Sequence, residues 1–327
     1  MMIVPQYWAE ARLQHRAHRR QITVRRFGWS DESQDAAQAH ADARAREALD
    51  RLMAGEALPR REHKVAYNGA EGLPIREEVV ERHGEDVVTR NSYGALCLNT
   101  PDVLFADVDF DILPQDPRLR RWLRRVLLVL AVALGAYARS LSWGVLAALA
   151  AVLAAWLIAR GVHRFDVWRK GGPEAMARRR VERFMQAHPE GRWRCYRTPA
   201  GLRLLALHRV FDPSSADVAA CFKALGVDGI YALMCQRQHC FRARVSAKPW
   251  RIGVSERMRP RPGVWPISPE RMPDRRRWIA DYERAARGYA ACRLEREYGT
   301  GPIDARADEV RRLHDALSGV ERGLPIA

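Results

Sequence analysis

Residues 126–137 read VLLVLAVALGAY and residues 141–159 read LSWGVLAALAAVLAAWLIA, with Arg139 and Ser140 between them. A helix crossing the hydrocarbon of a bilayer needs about 20 apolar residues, or about 17 at the short end. The second stretch meets that length by itself. The first meets it only if Trp122, Leu123 and the neighbouring arginines lie at the interface with their polar ends in water. One continuous helix over both would run about 50 Å and bury Arg139 near mid-membrane. A turn at Arg139 and Ser140 avoids both problems, so residues 118–165 are expected to form a two-helix transmembrane hairpin. Arg118, Arg120, Arg121, Arg124 and Arg125 precede it, and Arg160, His163, Arg164, Arg169 and Lys170 follow it. Positive flanks stay in the cytoplasm. The expectation is therefore a chain in the cytoplasmic (inner) membrane with both termini cytoplasmic and the lipid bilayer as its first partner. The competing account is a helical hairpin buried in a large soluble core, which the arginines at both ends disfavour.

The rest of the chain is polar enough to fold in water. Of 327 residues, 47% are hydrophobic and 29% charged, which describes a globular chain and excludes a disordered one. The net charge is +16, and Lys64, Lys170, Lys223 and Lys248 are the only lysines, so nearly all of the positive charge is arginine. Attraction to polyanions explains such a balance. So does a compositional bias toward arginine, and no dense basic run away from the apolar stretches separates the two. Six cysteines are scattered without the spacing of a disulfide framework, which fits a reducing compartment. The first 20 residues hold no apolar core of a cleavable signal.

Apolar alternation and turn residues place strands at 21–27, 93–98 and 103–109, and helices at 31–53 and 75–82. Beyond the hairpin they place a helix at 174–188, strand pairs at 193–197 with 202–208 and at 230–235 with 240–245, and a helix at 214–225. Further helices are expected at 274–298 and 305–317. The order points to an α+β fold: a small split-βαβ, RRM-like sheet with helices on one face, interrupted by the membrane hairpin. Residues 1–117 would form its first part, 166–255 its second, and 256–327 a Pro- and Arg-rich segment with C-terminal helices.

Residues 103–111 read VLFADVDFD. Side chains at i and i+2 share a strand face. Asp107 and Asp109 can thus converge on one divalent ion, and Asp111 joins them if the strand continues. Hard carboxylate oxygens suit Mg²⁺ or Mn²⁺, and such a pair is how phosphoryl- and nucleotidyl-transfer enzymes hold their metals. A strand end emerging into solvent is the plain alternative. Cys235, His239 and Cys240 offer three zinc-type ligands within six residues; two core-facing cysteines beside a turn account for them better, because a structural zinc site needs four. No Walker loop, dinucleotide fingerprint, nucleophile elbow or zinc-protease helix occurs.

The paired aspartates resemble the acidic strand of archaeo-eukaryotic primases, of palm-type cyclases and of haloacid-dehalogenase phosphatases. The downstream order resembles the archaeo-eukaryotic primase (prim-pol) superfamily over about residues 93–251. Residues 196–205, YRTPAGLRLL, resemble its Thr-Pro turn; Val227-Asp228 resembles its third-carboxylate motif; and residues 242–251, RARVSAKPWR, resemble its Arg-x-x-x-Ser stretch. The resemblance implies Asp107, Asp109 and Asp228 as the catalytic, metal-holding carboxylates. It implies Arg242, Arg244, Ser246 and Lys248 as phosphate contacts, with Arg203 standing where the family has histidine and His208 five residues further on. The implied function is a membrane-anchored, metal-dependent nucleotide or nucleic-acid binder of nucleotidyl-transfer type, active or catalytically degenerate. The alternative is a non-enzymatic membrane-tethered scaffold that binds an acidic partner or anionic lipid headgroups.

Overall fold

The computed structural model describes residues 2, 4–17, 20–62, 74–110, 117–137, 141–261 and 263–327. In chain order the strands are β1 (Tyr7–Ala17), β2 (Arg20–Ser30), β3 (Glu78–His83), β4 (Asp86–Arg90), β5 (Leu96–Thr100), β6 (Phe105–Asp109), β7 (Trp193–Thr198), β8 (Gly201–Ala206), β9 (Phe241–Arg244) and β10 (Arg293–Tyr298). The helices are α1 (Gln34–Met53), α2 (Pro117–Tyr137), α3 (Leu141–Arg169), α4 (Gly172–Ala187), α5 (Ala216–Leu225), α6 (Gly229–Gln238), α7 (Met272–Ala286) and α8 (Ala305–Ser318).

Strands β1 and β2 pair along their whole length and carry α1. Ser33 starts that helix by accepting the Ala36 amide at 3.1 Å. Its inward face is Ala37, Ala41 and Ala45, packed on Ala9 and Ala11. Small residues allow a close approach, and Gly28 allows it from below: a Cβ there would fall on the backbone of Ala37 and Ala41.

Two four-stranded sheets make the main body, ordered β3-β4-β5-β9 and β10-β7-β8-β6. Every residue of β8 is buried. Phe105, Leu204 and Leu205 meet Val181 and Phe184 of α4, Phe222 of α5 and Val310 of α8 in one core. Two strand pairs, β5 with β9 and β6 with β8, join chain that precedes α2 to chain that follows α3. Both ends of the α2–α3 insertion therefore return to the same body.

The α+β class stands, and two features of the expected fold are corrected. A split-βαβ sheet needs parallel neighbours, whereas all pairs among the named strands are antiparallel and are spread over three sheets. The strands expected to flank the turn at Pro101 belong to different sheets. Asp102 in that turn is held by Arg306 of α8 at 3.1 Å, and its carbonyl accepts the Phe211 amide at 2.7 Å. Residues expected as a helix at 75–82 instead form β3, which turns into β4 through Gly84 at φ +59°. Residues 230–235 belong to α6 and not to a strand, and the expected helix at 274–298 ends at Ala286 before β10.

The second correction concerns the membrane. Among the described residues one helix, Val145–Arg169 within α3, is long and apolar enough to cross a bilayer. Helix α2 is not. Its opening PRLRRWLRR holds five arginines, leaving 12 apolar residues, about 18 Å of helix. The two-helix transmembrane hairpin, and the inner-membrane topology built on it, do not hold; the expected turn at Arg139 and Ser140 lies outside the described residues. Helix α3 lies against α2 and meets α4 at its end, while Leu149, Leu153, Leu157, Phe165 and Trp168 are all more than half exposed.

Candidate functional site

Asp107 stands opposite Arg203 in the β6–β8 ladder. The guanidinium closes on both carboxylate oxygens, Nε to Oδ1 at 2.8 Å and Nη2 to Oδ2 at 3.1 Å. Arg203 is 1% exposed, and its remaining nitrogen donates to the carbonyl of Arg244 on β9 at 2.8 Å. The pair is thus a tie between the two main sheets. Tyr231 of α6 makes a second tie, its hydroxyl lying 3.1 Å from the Phe105 carbonyl and 2.9 Å from that of Arg242. Burial would raise the Asp107 carboxyl, but Arg203 outweighs it, helped by Arg244 and His314, and holds the group below the ordinary carboxylate range.

The metal expectation is overturned by this donor set. Both Asp107 oxygens are engaged by a cation, and no group of three His, Cys, Asp or Glu among the described residues could hold a metal ion. Mg²⁺ or Mn²⁺ at Asp107, Asp109 and Asp111 is therefore withdrawn. Asp109 is exposed at the end of β6, and Asp111 lies outside the described residues. Asp228, expected to open a strand, caps α6 by accepting the Ile230 amide at 3.2 Å.

The expected phosphate contacts divide into two groups. Arg242 reaches both oxygens of buried Glu77 at 2.8 and 2.6 Å. Ser246 Oγ accepts the Leu96 amide at 2.8 Å and shares a 2.7 Å hydrogen bond with the Tyr282 hydroxyl. His208 is held between the Trp193 and Phe211 rings with Nδ1 3.3 Å from the Arg192 carbonyl, and burial lowers its pKa. Arg244 and Lys248 instead gather with Arg251 past the end of β9. Lys248 lies 5.4 Å over the Trp250 ring, which is more than half exposed and meets Tyr93 edge-on at 5.3 Å. Burial, then Arg244 and Arg251, depress the Lys248 ammonium against the opposing pull of Asp109 and Asp107. Nη1 of Arg251 is buried without a hydrogen-bond partner. A cation cluster of this kind, with one acid neutralised beside it and an exposed indole on its rim, suits an anionic group on a partner.

One constellation escaped the sequence reading. His314 on α8 places Nδ1 3.0 Å from Asp315, while Nε2 is 3.9 Å from Cys292 Sγ and 3.3 Å from Arg203. The order Cys–His–Asp has the connectivity of a nucleophilic triad, yet Cys292 and His314 are 0% exposed, so no substrate atom reaches the sulfur. The signal for burial was present: Ala307, Val310 and His314 share one face of a 3.6-residue helix. Burial alone would lower the His314 pKa; Asp315 and Cys292 outweigh it and raise it. A histidine raised above its unfolded value contributes stability fully present below that value and lost as pH rises through the folded one. His314→Leu is expected to cost about 1–3 kcal/mol, with the gap to wild type widest below the unfolded histidine value of about 6.5 and narrowing as pH rises through the raised folded one. Urea unfolding at a series of pH values checks this, and a pH-independent gap would refute the charge account.

No family model, curated protein or solved structure matches this chain. The primase resemblance is accordingly withdrawn: its motifs are short, its first metal carboxylate is tied to Arg203, and its third carboxylate caps a helix.

Proposed function

We propose that this protein is a non-enzymatic scaffold embedded in a membrane from one face, presenting a basic surface to an acidic partner. The observation that carries the proposal is the apolar stretch Val145–Arg169 of α3, in whose most apolar window only 6% of the residues are buried; large exposed apolar patches mark partner or membrane contact. The paired strands on either side of the insertion favour entry and return on the same face, since one crossing by α3 alone would part β6 from β8. The apolar part of α2, about 18 Å long, matches roughly one leaflet of a ~30 Å hydrocarbon layer. Arg244, Lys248 and Arg251 beside Trp250 are the surface offered to the acidic partner.

The depth of insertion is tested with Tyr137→Cys, at the exposed end of α2, in sealed vesicles, because the six native cysteines are all buried. A membrane-impermeant maleimide is expected to label the new thiol only after detergent is added. Labelling from the far face would mean a crossing, and immediate labelling from the near face would mean no insertion. The basic surface is tested separately with soluble polyglutamate. Lys248→Glu should weaken its binding roughly ten-fold, and wild-type binding should fall with salt; equal binding by both proteins would remove that surface from the proposal.

A further inference from the structure

Where α3 ends, the chain turns through Gly171 and Gly172, both at positive φ, into α4. The turn borders an open pocket of about 700 Å³ whose charged lining is Arg169, Lys170, Arg179, Arg180 and Arg183. No carboxylate is among its lining residues. Asp166, one turn back on α3, takes Lys170 at 2.6 Å and Arg169 at 3.4 Å. The other three cations have no carboxylate partner among the described residues. Arg179 donates to the Lys170 carbonyl, Arg180 to the Leu225 carbonyl at 3.1 Å, and Arg183 to the Arg179 carbonyl at 3.2 Å. Each thereby spends one N–H on fixing its direction and keeps the rest of its guanidinium fork. Arg180 is the most constrained: a Cβ at Gly226 would collide with its guanidinium, and burial, then Arg183, lower its pKa. Three like charges held together without a counter-charge cost free energy that an anion would recover.

What lies next to the cavity indicates which anion. The apolar exposure of α3 runs on through Phe165 and Trp168, whose rings pack at 5.7 Å and are 61% and 73% exposed. Aromatic side chains of this kind settle at the bilayer interface, and Trp168 precedes the first cation of the cavity by one residue. We infer that this cavity is a headgroup site for an anionic phospholipid, its phosphate held by Arg179, Arg180 and Arg183 while the acyl chains lie along α3. The inference rests on the membrane reading above and adds lipid selectivity to it.

The test uses the full chain in detergent micelles, titrated with short-chain phosphatidylglycerol, short-chain phosphatidylcholine and inorganic phosphate. Phosphatidylglycerol is expected to bind at least about ten-fold more tightly than either of the others. Arg179→Gln/Arg183→Gln is expected to lose about 30-fold, at roughly five-fold per cation near a headgroup. Arg183→Gln alone keeps the measurement readable if the double variant is unstable, and should lose about five-fold. Equal affinity for the two lipids, or no loss in either variant, overturns the headgroup site while leaving membrane insertion intact. Phosphate binding as tight as phosphatidylglycerol overturns the lipid assignment in favour of free phosphate. Failure of the membrane reading itself is seen separately, as near-face labelling of Tyr137→Cys before detergent.

Discussion

Asp107→Leu is expected to destabilise the fold by about 3–5 kcal/mol, the cost of leaving a buried charge without its partner. The side chain left behind is Arg203, 1% exposed and pointing between the two main sheets. Its one remaining acceptor of full strength would be the Arg244 carbonyl, with the His314 ring beside it. Asp107→Asn should cost less, about 1.5–3 kcal/mol, because the amide oxygen still accepts from the guanidinium. Arg203→Met should fall near the lower end of the first range, since the stranded Asp107 side chain is 36% exposed and reaches water. The double variant Asp107→Leu/Arg203→Met should recover most of the loss, as apolar replacement of buried ion pairs generally does. Urea unfolding in detergent, followed by near-ultraviolet dichroism, gives the four values of the cycle. Acid adds an independent check. A carboxylate depressed in the folded state contributes stability that is present above its unfolded pKa, about 3.9, and lost as pH falls through the folded value. Arg203→Met removes the cause of that depression, so its stability gap to wild type should narrow as pH falls below about 4. If Asp107→Leu unfolds like wild type, the pair is not the tie between the sheets.

The prediction separates two meanings of the same residues. Alternating aspartates entering from an apolar run mark the strand, because period-two geometry is local. What opposes Asp107 across the ladder is set by β8, nearly a hundred positions away, and no local pattern places an arginine there. Arg203 stands where the resemblance implies a histidine, and its charge is the decisive fact, since it occupies the carboxylate a metal would need. The β7–β8 hairpin, α1, α5 and α8 were legible for the same local reasons, through caps and turns such as Ser215 and the Thr198–Gly201 corner. The two-sheet arrangement was not. Residues 230–235 have strand-like composition, yet Asp228 caps a helix start and His239 closes it in a left-handed conformation, two backbone choices that hydropathy does not register. In the apolar insertion, composition marks α3 as apolar but not where the chain returns; that follows from the pairings of β5 with β9 and of β6 with β8.

Leu149→Arg/Leu153→Arg is expected to release the protein from membranes. Both leucines are more than half exposed on α3, on the stretch that Val145–Arg169 makes long and apolar. An arginine at the centre of an inserted helix costs about 2.5–3.5 kcal/mol on insertion scales. Two of them would cost about 5–7 kcal/mol, roughly 10⁴-fold in partition if both lie deep. The same pair in a soluble setting costs little, because solvent-facing substitutions fall within about 0.5 kcal/mol. The effect on membrane partition and the effect on folding should therefore part company: the variant moves from the membrane pellet to the supernatant while its sheets unfold at unchanged urea concentration. Flotation on a density gradient, with dichroism of the released protein, reads both. A variant that stays with the membrane fraction would place the contact elsewhere, on the basic surfaces or on α2. A variant that becomes insoluble in both fractions, with its sheets lost, would mean that α3 is covered by protein and not by lipid. Arg160 and Arg164 give the depth control. They lie in the last turns before the aromatic pair, where charge is already tolerated, so adding one more arginine at Val162 should cost about 0–1 kcal/mol and leave the protein in the pellet.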